Sequence, residues 1–152
     1  MVEFEIREAR FDSPEALRLN EGLQQEYVRR YGGSDKTPVD PKEFAPPLGA
    51  FRLVWLDGRA VGCGGVRVVD DGTAEIKRMY VEPDARGNGI ARALLAELEA
   101  EAVRLGCHTM RLETGTKQPE AMALYESVGY ELIESYGIHA NSPCNRCYSR
   151  TL

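Results

Sequence analysis

Two glycines stand at the mouth of a helix in Arg86-Gly87-Asn88-Gly89-Ile90-Ala91, and this junction constrains the chain more than any other stretch. A strand-like run, Ala74 to Val81, precedes it, and a strongly helical run, Gly89 to Leu105, follows. Glycine lacks a Cβ and accepts unusual dihedrals, so backbone there can approach a ligand closely. The first turn of a helix also carries free N–H groups at the positive end of its dipole. Such a turn suits a pyrophosphate. Two familiar pyrophosphate signatures fail. A dinucleotide fingerprint requires glycine three positions after Gly89, where Arg92 stands. A P-loop requires Gly-Lys-Ser/Thr, which occurs nowhere in the chain.

The surrounding sequence reads as alternating elements. Phe4 and Ile6 alternate with Glu5 and Arg7, predicting a first strand. Ser13-Pro14 supplies an N-cap and a proline at the first helical position. Ala16, Leu19, Leu23, Tyr27 and Tyr31 then recur at helical spacing until Gly32-Gly33. Residues 34–48 are polar and hold Pro38, Pro41, Pro46 and Pro47. So long a connection is either a plain linker or part of a binding site. Ala50 to Leu56 and Ala60 to Val69 are strands joined by the hairpin signal Asp57-Gly58. Gly62, Gly64 and Gly65 inside the second of them mark a bulge or a close approach by another group. Thr73 to Val81 completes an antiparallel meander. After the loop helix come a strand at His108 to Thr114 and a helix at Pro119 to Val128. Tyr130 to Ile133 and Arg146 to Leu152 end the sheet. The predicted order is β-α-β-β-β-α-β-α-β-β.

Arg86 to Ala91 reads Arg-x-x-Gly-x-Ala, which resembles the acyl-CoA pyrophosphate loop of the GNAT superfamily of N-acetyltransferases. Ala123-Leu124-Tyr125-Glu126-Ser127-Val128-Gly129-Tyr130 resembles the second signature of the same superfamily. The element order agrees, although the superfamily's extra short helix before the second strand is not clear. The resemblance implies an α/β fold in one domain over residues 1–152. Its sheet would be mixed, with an antiparallel N-terminal half and helices on its flanks. An ordinary strand-to-helix turn would show the same local glycines, so context carries the assignment.

What the resemblance implies is an N-acetyltransferase with acetyl-CoA as co-substrate, attacked directly by an amine in a ternary complex. Backbone of Gly87, Asn88, Gly89, Ile90 and Ala91 would hold the diphosphate, with Arg86 adding a cation and Arg92 assisting. Backbone of Met79 and Val81 would pair with the pantetheine arm, and the N–H near Met79 would face the thioester oxygen. Tyr125 would face the departing sulfur. A neutral phenol, with a pKa of about 10, donates a proton or hydrogen bond to a thiolate. The alternative is a tyrosine packed beside Leu124 and Val128. An alkylammonium acceptor must lose a proton, at about 4–5 kcal/mol at pH 7. Glu75 stands where some members carry a catalytic glutamate, and Glu113 is a second candidate. Either can instead be a solvated strand residue. Glu26 and Tyr27 are placed by the same positional reasoning at the acceptor pocket. His108 and His139 are read as structural or surface residues.

Composition narrows the partners. The 152-residue chain has a net charge of −5, which argues against nonspecific nucleic-acid binding. No apolar run is long enough to span a membrane, and the N-terminus does not read as a signal peptide, so the expected location is cytoplasmic. Cys63 and Cys107 read as core residues, and Cys144 and Cys147 form a lone C-x-x-C. With His139 they could supply three zinc ligands, but no metal site is assigned. A small-molecule amine is favoured over a protein as acceptor, and the resemblance allows a homodimer. An acyl-CoA-binding sensor without turnover is the alternative function.

Overall fold

The computed structural model describes residues 2–152. Seven strands form one sheet in the order β1-β2-β3-β4-β5-β7-β6. They are β1 (Glu5–Glu8), β2 (Gly49–Leu56), β3 (Arg59–Asp70), β4 (Thr73–Val81), β5 (Thr109–Gly115), β6 (Glu131–Ile133) and β7 (Asn145–Thr151). Every neighbouring pair is antiparallel except β4 and β5. The helices are α1 (Pro14–Tyr31), α2 (Ile90–Arg104) and α3 (Pro119–Ser127). The predicted order and nearly all predicted boundaries agree with these elements to within one or two residues. No helix among the described residues is long and apolar enough to cross a membrane.

Local chemistry sets the ends of α1. The Ser13 side chain accepts a hydrogen bond from the Ala16 N–H, and Gly32 closes the helix in the left-handed region at φ 82°. Its buried stripe, Ala16, Leu19 and Leu23, packs on one sheet face with Phe44, Phe51 and Leu53. The opposite face carries α2, through Ile90, Leu94, Leu98 and Ala102, and α3. Each fully buried Leu or Phe of these two cores contributes about 1.5–3 kcal/mol.

The proline-rich connection divides in two. Its C-terminal part forms a short 3-10 turn, Pro41–Phe44, closed by a capping box between Asp40 and Glu43. That turn stands where the extra helix was unclear in the sequence. It sends Phe44 into the core, stacked on Phe11 with ring centroids 4.7 Å apart. Gly65 makes room for it, since a Cβ there would lie 2.6 Å from the Phe44 ring. Of the three β3 glycines, Gly65 thus meets the Phe44 ring, whereas Gly64 faces Leu98 and Leu94 of α2.

The sheet opens in its middle. β4 and β5 pair only over Thr73–Glu75 and Thr109–Arg111. Beyond that they diverge, and β5 remains paired to β7 along its whole length. The β5-facing edge of β4 from Ile76 to Val81 thus has no strand beside it. β4 also carries a bulge, in which Arg78 and Met79 together oppose Gly64. Arg78 sits there at φ 58°.

Candidate active site

A cleft of about 370 Å³ follows the gap between β4 and β5. Its walls include Ile76 to Val81, Arg86, Gly87, Gly89 to Arg92, and Tyr125. A smaller hollow of about 150 Å³ continues from it. The two share Tyr27, Asp35, Glu113, Thr114, Gln118 and His139. The cleft therefore joins the glycine loop at one end to a polar chamber at the other.

At the loop end, Gly87 and Gly89 both adopt positive φ, 83° and 78°, and nothing lies within 4 Å of where a Cβ would stand. Backbone conformation, not crowding, requires glycine at both. The N-cap of α2 is Gly89, with no side chain capping the helix, so its first N–H groups are left for a ligand. Asn88 turns its side chain back to the Ala85 carbonyl, 3.0 Å away. Ile90 is buried in the core. These two contribute backbone only at this mouth. The Arg86 guanidinium is not a free cation. It donates to Glu26 at 2.8 Å and to the Val81 carbonyl at 2.9 Å. Glu26 accordingly lines the cleft as the partner of Arg86. Arg92 donates to the Ser127 hydroxyl, tying the start of α2 to the end of α3.

Tyr125 belongs to a cluster of three tyrosines. Its ring meets Tyr130 edge-on at 5.8 Å and Tyr148 at 6.3 Å. The Tyr130 hydroxyl donates to Glu99 and the Tyr148 hydroxyl to Glu126. The Tyr125 hydroxyl has no such partner among the described residues, and the residue lines the cleft while only 6% exposed. Burial holds its phenol well above the ordinary pKa, so it stays protonated.

Glu75 is bound up in an ion network of its own. It is 2% exposed and lies off the cleft wall. Its carboxylate is taken up by Arg67 at 3.0 Å and Arg111 at 3.3 Å, with Lys77 at 3.9 Å. Held by these cations, the carboxylate does not face the cleft. Glu113 does line both chambers, paired with Lys77 at 3.3 Å, and its Oε2 is buried without a hydrogen bond.

His139 also stands elsewhere than the sequence reading placed it. Its loop folds over the polar chamber, and Nε2 lies 3.0 Å from Asp35 Oδ1. Asp35 is held down to about 2: burial would raise it, but hydrogen bonds from Thr37 and His139 outweigh burial. No sequence periodicity marks either residue, because both sit in irregular connections 104 positions apart. Tyr27 lines the same chamber, and burial raises its phenol pKa as well. His108 stays outside, beside Thr109. Cys147 is buried in β7 while Cys144 lines the smaller hollow. Among the described residues no three His, Cys, Asp or Glu side chains gather as a metal site.

Known proteins resemble this chain in sequence and in fold. The model of the Acetyltransferase (GNAT) family matches residues 17–130. An IAA acetyltransferase of Azospirillum brasilense is 33% identical over 128 residues, covering 84% of each chain. The N-acetyltransferase YjgM of Escherichia coli, itself uncharacterized, is 31% identical over 134 residues, covering 81% of this chain and 78% of its own. A Klebsiella pneumoniae structure described as an acyl-CoA N-acyltransferase superposes with a TM-score of 0.81 at 30% identity, over 98% of this chain and 97% of the other. A GNAT family acetyltransferase from Elizabethkingia anophelis, solved with acetyl-CoA bound, shares the fold with a TM-score of 0.72 at 18% identity, over 98% of each chain.

Proposed function

The chain belongs to the acetyltransferase (GNAT) family, and on that footing we propose that it moves an acetyl group from acetyl-CoA to the amine of a small molecule. The observation that carries this reading is one continuous cleft, with the glycine loop at one end and a polar chamber at the other. The chain's own residues fit acetyl-CoA as co-substrate. The open N–H groups of the Gly87–Ala91 loop suit a diphosphate. The unpaired edge of β4, including the backbone of Met79 and Val81, suits the pantetheine amides. A backbone N–H at the bulge near Met79 serves as the oxyanion donor.

In the proposed reaction the acceptor nitrogen attacks the thioester carbonyl carbon. The C–N bond forms, the C–S bond breaks, and Tyr125 gives its proton or a hydrogen bond to the departing sulfur. The proton lost by the acceptor passes to His139, which Asp35 orients, in place of Glu75. No enzyme nucleophile is needed. The buried Cys63 thiol, pushed up to about 12 by desolvation, is not one. Holding both substrates in one cleft supplies much of the acceleration.

The test is a CoA-release assay with acetyl-CoA and a panel of small amines, amino acids and peptides, with acetyl-CoA binding followed by calorimetry. Turnover of a small amine supports the reading. Binding without turnover of any acceptor favours an acyl-CoA sensor instead. Absence of binding removes the assignment of the Gly87–Ala91 loop.

A further inference from the structure

Arg78 is an anomaly in two respects. Its backbone is in the left-handed region, at φ 58°, which side chains other than glycine rarely adopt. Its side chain is 9% exposed, lines the cleft, and forms no salt bridge with any described residue. Its Nε is buried without a hydrogen-bond partner. A guanidinium so placed loses hydration and gains no counter-charge, which is costly. The bulge accounts for the backbone, but the unpartnered guanidinium points to a ligand that supplies an anion.

The neighbours do not supply it. Arg78 acts electrostatically on the Tyr27 phenol and the Cys63 thiol, and desolvation keeps both neutral. The other cations nearby each have a carboxylate within ion-pair distance. Lys77 is paired with Glu113 and Glu75, and Arg111 with Glu75. Among the described residues, Arg78 alone of these cations has no carboxylate within ion-pair distance. That suits a carboxylate, which a guanidinium holds through two parallel hydrogen bonds. In the shared chamber Asp35 is taken by His139 and one oxygen of Glu113 by Lys77, while Glu113 Oε2 has no hydrogen bond and suits an ammonium group. The cleft wall thus offers an unpaired guanidinium at Arg78 and an open carboxylate oxygen at Glu113.

We propose that Arg78 binds the carboxylate of the acceptor, so that the substrates are free amino acids or closely similar amino-carboxylates. This deepens, and rests on, the reading of the cleft as a transferase site. Peptide and protein N-termini lack a carboxylate beside the amine and would leave Arg78 unmatched.

The test compares each of the twenty proteinogenic amino acids with its α-amide in the CoA-release assay, using the wild type and Arg78→Met. The best wild-type substrate is expected to be a free acid, favoured over its amide by about 10²-fold in kcat/KM. In Arg78→Met the ratio should fall to about one, with the acetyl-CoA dissociation constant unchanged. A preference for amides, or a preference for acids that survives in Arg78→Met, overturns the proposal. Binding of the same acids to the acetyl-CoA-loaded protein, followed by calorimetry, separates this proposal from the transferase reading. Binding that depends on Arg78 without turnover sinks the transferase and supports the carboxylate site. Turnover of acids with no dependence on Arg78 does the reverse, and no Arg78-dependent binding of any acid overturns the site. If Arg78→Met does not fold, Arg78→Lys takes its place. The charge is then kept, the two-point contact is lost, and acid preference should drop about tenfold but not vanish.

Discussion

Tyr125 differs from its two tyrosine neighbours in one respect that matters chemically. Tyr130 and Tyr148 spend their hydroxyls on Glu99 and Glu126, whereas Tyr125 keeps its own for the cleft. A phenol ordinarily titrates near pH 10, and burial raises this one. The sign is therefore fixed: Tyr125 remains a proton donor throughout pH 7–10 and produces no alkaline loss of kcat in that range. Tyr125→Phe should lower kcat by about 10²-fold, evenly across those pH values, with little change in acetyl-CoA affinity. Steady-state profiles and calorimetry together check this, and equal losses in both would mean the ring acts by packing alone. Glu75 behaves oppositely. Its carboxylate neutralises Arg67 and Arg111 in a buried network. Glu75→Gln should cost about 3 kcal/mol of stability while the folded enzyme keeps its kcat. Urea unfolding measures the first and initial rates the second, and a lost kcat at unchanged stability would restore Glu75 as the base.

At the scale of elements, β4 and the loop after it carry the site. The three-residue pairing with β5 opens the sheet, and the bulge at Arg78 and Met79 turns strand backbone toward the opening. The Gly87–Ala91 loop ends this segment and aims α2 at the cleft, since the buried stripe of α2 fixes its axis on the sheet. Gly89 has open space around it but φ 78°. Gly89→Ala should therefore act through the backbone, destabilising the protein by about 1–2 kcal/mol. The displaced N–H groups should also weaken acetyl-CoA binding by about tenfold. Thermal melts and calorimetry read the two effects. Unchanged affinity in a correctly folded variant would place the diphosphate elsewhere.

For the molecule as a whole, the cleft separates one half of the sheet from the other above a shared core, and side chains bridge it. Arg30 of α1 reaches Glu120 of α3 at 2.7 Å, and Lys77 of β4 reaches Glu113 of β5 at 3.3 Å. A ligand lying in the cleft touches both halves and should hold them together. At about 100 times its dissociation constant, acetyl-CoA should add about 2.7 kcal/mol. That corresponds to a rise in Tm of about 5–10 °C in a single calorimetric transition. Two separate transitions, with only one moved by acetyl-CoA, would show that the halves fold independently and that the ligand contacts one of them.

Local signals alone determined the strands, the helices, the caps at Ser13 and Gly32, the Asp57-Gly58 hairpin and the glycine loop. They are local because hydrophobic period, capping chemistry and turn dihedrals act over a few residues. The family resemblance rests on the same short stretches, Arg86 to Ala91 and Ala123 to Tyr130. What tertiary structure alone decided is where charges from distant segments meet. Glu75 read as a candidate base because its strand position matched, and only the Arg67 and Arg111 side chains reveal it as enclosed. His139 and Asp35 lie in irregular connections without periodicity, and become a pair only when both fold over the cleft. Arg78 sits in an unremarkable strand run, and its positive φ and missing counter-ion arise from a bulge set by register with β3. Electrostatic environment is a sum over neighbours in space, and a linear sequence holds no such neighbours until the sheet has formed.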